Sequence, residues 1–282
     1  MKKFFSGIFL TLILMLSSFP VHAANIQIKI DDVVIASDVN PEINNNRIMV
    51  PLRVISENLA AKVNWSNSEV TLTKNDMKVR LKLNSNTAVK NGKTELLDAK
   101  PYIKNNRIFV PMRFLAETFG CNVNYKNSTV TVDTKPLVID NVKINAIQEE
   151  VHMTMGGVVR QIKGNVYNKE IYDVFIKNRG SKVEAPANYS WHYDIDTPGA
   201  YYKNGQYDFL NQEGNSVKRF DIYSLIKSFP AETLAGYQEV LIYDATENQW
   251  YVFTDHAFQS INQLIDTANK NGFLKIISNT AV

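Results

Sequence analysis

The chain reads as α+β in two parts, with tandem strand-rich repeat units, each carrying one short helix, followed by a separate α+β domain. Three observations lead there. Residues 45–53, NNRIMVPLR, return sixty positions later as NNRIFVPMR at 105–113. Arg47, Pro51, Arg53, Glu57, Val63 and Val70 recur in step as Arg107, Pro111, Arg113, Glu117, Val123 and Val130, so one supersecondary unit has been copied. Beyond Thr134-Lys135-Pro136, which reads as a short linker, the composition shifts: 11 of the 13 tyrosines follow Pro136.

The first residues read as an address. Lys2 and Lys3 make a basic start, 8–16 (IFLTLILML) is apolar except for Thr11, and Val21-His22-Ala23 offers a cleavage site. That run is far short of the roughly 20 residues a membrane span needs. Residues 1–23 are therefore expected to be a cleaved secretory signal. No cysteine follows the apolar run to carry a lipid, and no second long apolar run appears, so no transmembrane segment is expected after cleavage.

The repeat, expected over 24–135, explains itself element by element. Strands at 26–30 and 33–35 flank Asp31-Asp32, a hairpin signal. Asn45-Asn46 and Asn105-Asn106 tolerate left-handed backbone angles and mark tight turns. Brief strands follow at 48–50 and 108–110, and Pro51 and Pro111 then stand where a helix begins. Leu52, Ile55 and Leu59 have helical spacing, as do Met112, Leu115 and Phe119, with Gly120 a stop. Hairpins close each copy, at 62–65 with 70–73 and at 122–125 with 129–133, through turns at 66–69 and around Asn127. Between the copies, strands are expected at 77–83 and 88–97, the latter folded at Asn91-Gly92. One such unit leaves an apolar face wet, so the two are expected to pack together. Arg53 and Glu57, and Arg113 and Glu117, lie one helical turn apart and read as scaffold ion pairs, with a recognition pair as the alternative. Arg47 and Arg107 are expected to bond carbonyls near the turns.

Charge and cysteine usage bound the function. Residues 24–136 hold 16 basic and 11 acidic side chains, while 137–282 hold 13 and 17. Neither half is basic enough to seek nucleic acid. The single cysteine, Cys121, stands where the first copy has Ala61, and reads as a small buried filler.

The motif Asn-Asn-Arg-Ile-Met-Val-Pro-Leu-Arg at 45–53, followed by Glu57 and Val63-Asn64-Trp65, resembles the copper amine oxidase N-terminal-like domain, also called the stalk domain. That family's pattern is Gly-Arg-Thr-Leu-Val-Pro-Leu-Arg, a Glu-containing helix, then Val-x-Trp and a hairpin. The resemblance covers 26–133. Asn46 and Asn106 stand where the family usually has glycine, a swap that a left-handed turn accepts, and Tyr125 replaces the tryptophan in the second copy. It implies an exported, cell-wall-associated spacer of the kind found in Gram-positive-type bacteria. It does not imply amine oxidase chemistry, which needs three copper histidines and an Asn-Tyr-Asp/Glu sequence. After the signal only His152, His192 and His256 remain, and Asn124-Tyr125-Lys126 and Asn188-Tyr189-Ser190 lack the acidic neighbour. No cofactor is expected.

In the second domain, 137–282, strands are expected at 138–147, 157–167, 172–176, 189–195, 240–243, 250–253 and 273–277. Ile222, Leu225, Ile226 and Phe229 space a helix ended by Pro230. Phe258, Ile261, Leu264, Ile265 and Ala268 space another, with Asp255 as cap and Gly272 as stop. Three constellations carry chemistry. His192, Asp194 and Asp196 alternate along the expected strand, as metal ligands or as an ordinary polar face. Trp191, Tyr193, Tyr201, Tyr202 and Tyr207, with Tyr189, Phe209, Asn204, Gln206 and Asp208 nearby, have the chemistry of a glycan-stacking face, or of sheet aromatics. Glu149, Glu150, His152, Asp255 and His256 are acid/base types, and two carboxylates suffice for a glycosidase. The stretch 153–157 reads as a turn, not a phosphate cradle. No catalytic or metal residue is assigned. The expected protein is an exported, envelope-associated, non-enzymatic binder or structural element, with stalk repeats presenting an aromatic domain to wall polymer, glycan or an envelope protein. The alternative is a secreted hydrolase of wall polymer acting through the second domain.

Overall fold

Among the described residues, six two-residue turns have both central residues at positive φ: Asp31-Asp32, Asn45-Asn46, Asn91-Gly92, Asn105-Asn106, Asn127-Ser128 and Asp140-Asn141. Each joins two antiparallel strands, the geometry that matches strand twist in a tight hairpin. The computed structural model describes residues 26–66, 68–153 and 155–281. The expected signal at 1–23 lies outside the described residues, as do Asn67 and Thr154 within their expected turns.

The first copy runs β1 (Gln27–Ile30), β2 (Val33–Val34), β3 (Glu42–Asn44), β4 (Arg47–Pro51), α1 (Leu52–Asn58), β5 (Lys62–Ser66) and β6 (Glu69–Lys74). A connecting strand, β7 (Met77–Lys82), leads to the second copy. That copy comprises β8 (Thr87–Lys90), β9 (Lys93–Leu96), β10 (Tyr102–Lys104), β11 (Arg107–Pro111), α2 (Met112–Phe119), β12 (Asn122–Lys126) and β13 (Thr129–Asp133). The copies are interlocked. β4 pairs with β11 through Val50 and Val110, making the central sheet β10-β11-β4-β3. The opening hairpin of the first copy completes the sheet of the second, with β1 parallel to β13 in the order β12-β13-β1-β2. The opening hairpin of the second copy joins the sheet of the first, β5-β6-β7-β8-β9, with β7 inserted. Pro51 and Pro111 are the N-caps, and Gly120 ends α2 at φ 68.

The second domain begins with the small hairpin β14 (Val138–Ile139) and β15 (Val142–Lys143). Then come β16 (Ala146–His152), β17 (Gly157–Lys163), α3 (Asn165–Lys177), β18 (Lys182–Val183) and β19 (Tyr189–Ser190). The long hairpin β20 (Tyr201–Leu210) and β21 (Ser216–Leu225) follows, then β22 (Val240–Asp244), β23 (Gln249–Phe253), α4 (Asp255–Lys270) and β24 (Leu274–Asn279). They form one nine-stranded sheet, β18-β23-β22-β21-β20-β16-β17-β24, with β19 beside β20. Tyr207, Phe209, Phe220 and Phe253 pack on Phe175 of α3. A second cluster, Tyr201, Tyr223, Leu225, Leu241 and Trp250, is built separately. The whole is α+β, and among the described residues no helix is long and apolar enough to cross a membrane.

Among the described residues no sheet mixes strands of the two parts, yet the main apolar cluster runs through both, from Ile26 to Phe273. A polar clamp reinforces the junction. The Asp31 carboxylate accepts from Thr134 N and Oγ1 at 2.8 and 2.7 Å, and from Asn165 N and Nδ2 at 2.8 and 3.1 Å. Asn165 opens α3, whose N-cap Gly164 has no side chain to offer, so Asp31 satisfies one of its orphan amides from 134 residues away. The expected linker is therefore anchored at Thr134, which is buried.

The second domain departs from the sequence reading in several places. Residues 172–176 belong to α3, because Tyr167, Ile171 and Phe175 bury at four-residue spacing although the run is rich in strand formers. The expected helix at 222–229 is the end of β21 and a loop. β21 is covered on both faces, Phe220 and Ile222 on one and Tyr223 and Leu225 on the other, so its apolar residues lose the alternation that identifies a strand. The strand at 189–195 stops after Ser190, and that at 157–167 ends at Lys163. α4 forms as expected, but Thr254 is its cap, accepting from Ala257 N.

Candidate functional site

The five aromatic residues singled out in sequence do not share a face. β20 bulges at Asn204, where Lys203 pairs with Tyr223 but Gly205 with Ile222. One extra residue reverses the alternation. Tyr201 therefore lies with Tyr223 and Trp250 in the second cluster, 4 % exposed, and Tyr207 lies among the residues under α3, 1 % exposed. Neither can stack on a ligand, which corrects the expectation for these two. Burial pushes the Tyr201 phenol up to about 12 while its hydroxyl donates to the Gln238 carbonyl.

Trp191, Tyr193 and Tyr202 do come together. With His152, Met153 and His192 they line an open depression of about 720 Å³. Trp191 is stacked on the His152 ring, centroids 4.1 Å apart, and the Lys203 ammonium lies 4.6 Å from its ring centre. Beneath it Lys203, 5 % exposed, pairs with Asp221 at 2.9 Å, and Asp221 also takes the Arg219 guanidinium. Desolvation lowers the Lys203 pKa and Asp221 opposes that. Trp191 is thus both surface and cover for a buried ion pair. Tyr202 meets Tyr193 edge-on at 5.5 Å and donates to the His152 carbonyl at 2.6 Å, while Tyr193 is 56 % exposed. Gly199, at φ +77, sets the approach to β20: a Cβ there would sit 2.3 Å from the Tyr237 ring.

The other constellations disperse. The segment 191–196 is not a strand, and the Asp194 carboxylate accepts from Asn188 Nδ2, Asp196 N and Thr197 N, so His192, Asp194 and Asp196 form no ligand row. Among the described residues no group of three or more His, Cys, Asp or Glu is placed to hold a metal ion. Glu149 is buried against Arg160, and burial raises its pKa against the pull of that guanidinium. Glu150 turns the other way and pairs with His152 at 2.7 Å. Asp255 and His256 begin α4.

In the repeat, Arg53 and Glu57 pair at 3.6 Å. Arg47 and Arg107 bond the Asn46 and Asn106 carbonyls as expected. They also form ion pairs that the sequence reading missed, Arg47 with Asp98 and Arg107 with Asp38. The signal was present: Asp38 and Asp98 are themselves sixty residues apart.

The first part of the chain is thus an interlocked pair of β-rich units packed on a larger α+β domain. Residues 29–134 match the family model for the copper amine oxidase N-terminal domain, the segment that folds into the interlocked pair. That segment contains no histidine, so it offers no copper ligand set of the oxidase kind. No curated protein and no solved structure matches the chain.

Proposed function

We propose that this is an exported, envelope-associated, non-enzymatic binding protein, in which the stalk-type repeat supports a second domain that contacts wall polymer or glycan through Trp191, Tyr193 and Tyr202. The observation that carries the reading is the gathering of these three rings around one open depression beside His152 and His192. Flat rings at the wall of a shallow cleft with adjacent polar side chains suit stacking on sugars. A match to a copper amine oxidase N-terminal domain supports a non-catalytic, stalk-like role for residues 29–134. The hydrolase alternative needs two free carboxylates in one cleft. Glu149 is closed off by Arg160, and Glu150 is engaged by His152, which favours binding over hydrolysis.

The test is a pull-down of the chain from residue 24 onward on isolated cell walls and insoluble glycans, beside the variant Trp191→Ala, Tyr193→Ala, Tyr202→Ala. Binding by the intact protein that the variant loses supports the aromatic surface. Equal binding by both removes it from consideration.

A further inference from the structure

The two copies of the repeat make two equivalent grooves, and the way the copies have diverged points to what the grooves are for. The first is lined by Arg53, Glu57, Val63 and Trp65 of one copy, closed by the Arg107–Asp38 pair, and has a volume of about 530 Å³. The second is lined by Arg113, Glu117, Val123 and Tyr125, with Arg47 and Asp98, and measures about 380 Å³. Every one of these residues has its counterpart sixty positions away. Both volumes lie within the roughly 300–1,000 Å³ of ligand clefts.

A scaffold keeps its core and lets its surface drift. α1 and α2 do the reverse. Across 52–59 and 112–119, LRVISENL and MRFLAETF, all six buried or half-buried positions differ, and the two exposed ones, Arg and Glu, are unchanged. Stability does not account for their retention. The Arg53–Glu57 contact is long and solvated, and among the described residues Arg113 and Glu117 form no ion pair at all. The aromatic side chain is kept as well: Trp65 is 45 % and Tyr125 41 % exposed, large rings left in water at the groove wall.

We propose that the repeat is itself a binding unit, with two grooves for a neutral, hydroxyl-rich polysaccharide, separate from the aromatic surface of the second domain. Each groove sets two arginines against two carboxylates, so neither a polyanion nor a polycation is favoured. An exposed ring beside a guanidinium and a carboxylate offers a stacking plane and paired donors and acceptors for hydroxyls. Two like grooves on one chain suit a ligand that repeats its own unit, and the second contact then gains from the first.

The experiment is co-sedimentation of the chain from residue 24 with chitin and with cellulose particles, and with heparin beads as the charged control. Four variants are compared: Arg53→Ala/Trp65→Ala, Arg113→Ala/Tyr125→Ala, all four changes together, and Trp191→Ala/Tyr202→Ala. The intact chain is expected to bind a neutral glycan, each single-groove variant at least about tenfold more weakly, and the four-change variant to keep no more than the share held by the Trp191/Tyr202 surface, with the Trp191/Tyr202 variant retaining the groove-dependent share. Trp65→Phe keeps a ring without truncation and is expected to hold most of the binding, which guards against a misfolded variant. Binding unchanged in the four-change variant, binding to heparin alone, or none to any neutral particle overturns the proposal. Loss in the Trp191/Tyr202 variant alone overturns it too, while upholding the surface of the second domain. Loss in the groove variants alone upholds the grooves and sinks that surface.

Discussion

Replacing Asp31 by asparagine tests whether the two parts are held by the clamp or only rest against each other. Asp31 sits at φ 48, a left-handed angle that asparagine accepts, so the turn itself is little disturbed. The amide keeps one acceptor oxygen. The four donors divide two and two between the carboxylate oxygens, Thr134 N and Asn165 Nδ2 on one, Thr134 Oγ1 and Asn165 N on the other. With the amide oxygen toward Thr134 N and Asn165 Nδ2, the Thr134 hydroxyl can turn to accept but Asn165 N faces an NH2 group; turned the other way, both Thr134 N and Asn165 Nδ2 do. Hydrogen bonds to a charged acceptor contribute about 1.5–3 kcal/mol each. Asp31 is half-buried and water replaces part of the loss, so the expected cost is about 2–3 kcal/mol. In urea, with m of about 3 kcal/mol/M, the midpoint should fall by about 0.7–1 M. Asp32→Asn is the control: its φ is 67, it is exposed, and it makes the same change of charge in the same turn. If the two variants lose the same stability, or Asp31→Asn loses less than about 0.5 kcal/mol, the clamp is not what joins the parts.

Three further outcomes are expected. The Tyr251 hydroxyl, then Lys218 and Arg179, hold the Glu247 carboxyl down at about 2, below its ordinary 4.5. A depressed acid stabilises the fold above its unfolded pKa and ceases to as pH falls from about 4.5 to about 2. Glu247→Gln should therefore cost about 1 kcal/mol at pH 7, discounted because the side chain is 44 % exposed, and nothing at pH 2; urea melts at both pH values check this. Gly199→Ala would drive a methyl into the Tyr237 ring at positive φ, and should lower stability by about 2 kcal/mol or more, read as a fall in Tm. Burial pushes the Cys121 thiol up to about 11, so at pH 8 the folded protein should react with a thiol reagent about a hundredfold more slowly than the unfolded chain.

How much was legible depended on how local the signal is. The hairpins and helices expected in the repeat fell within a residue or two because most of its turns are set by Asp, Asn and Gly at positions that need φ > 0, whereas β3 and β10, three residues each, carried too little pattern to be read. The interlocking was not legible either: that β1 lies beside β13 is a pairing across some hundred residues with no side-chain rule to announce it. In the second domain the misreadings share a cause. Wherever an element is covered on both sides, as β21 is, apolar residues fill every position and the period vanishes. The aromatic site failed in part for a smaller reason. Tyr201 and Tyr207 are an even number of residues apart and should share a face, but the bulge at Asn204 inserts one residue between them. Gly205, isolated inside the strand, is the one composition signal of that bulge.

The opening hairpin makes the picture of a swinging spacer hard to hold. β1 and β2 complete the sheet of the second copy, their turn supplies Asp31 to α3, and Ile28 and Ile30 sit in the apolar cluster that continues into the second domain. To move the repeat as a lever, the chain would have to give up the two hydrogen bonds from Asn165 to the Asp31 carboxylate and expose part of a shared core, a cost of several kcal/mol. The repeat and the second domain therefore move as one body, and any polymer bound as proposed meets them together. A strand that reaches both the grooves and the depression at Trp191 meets them at a fixed separation, so selectivity would come from the stiffness and repeat length of the polymer as much as from any single sugar.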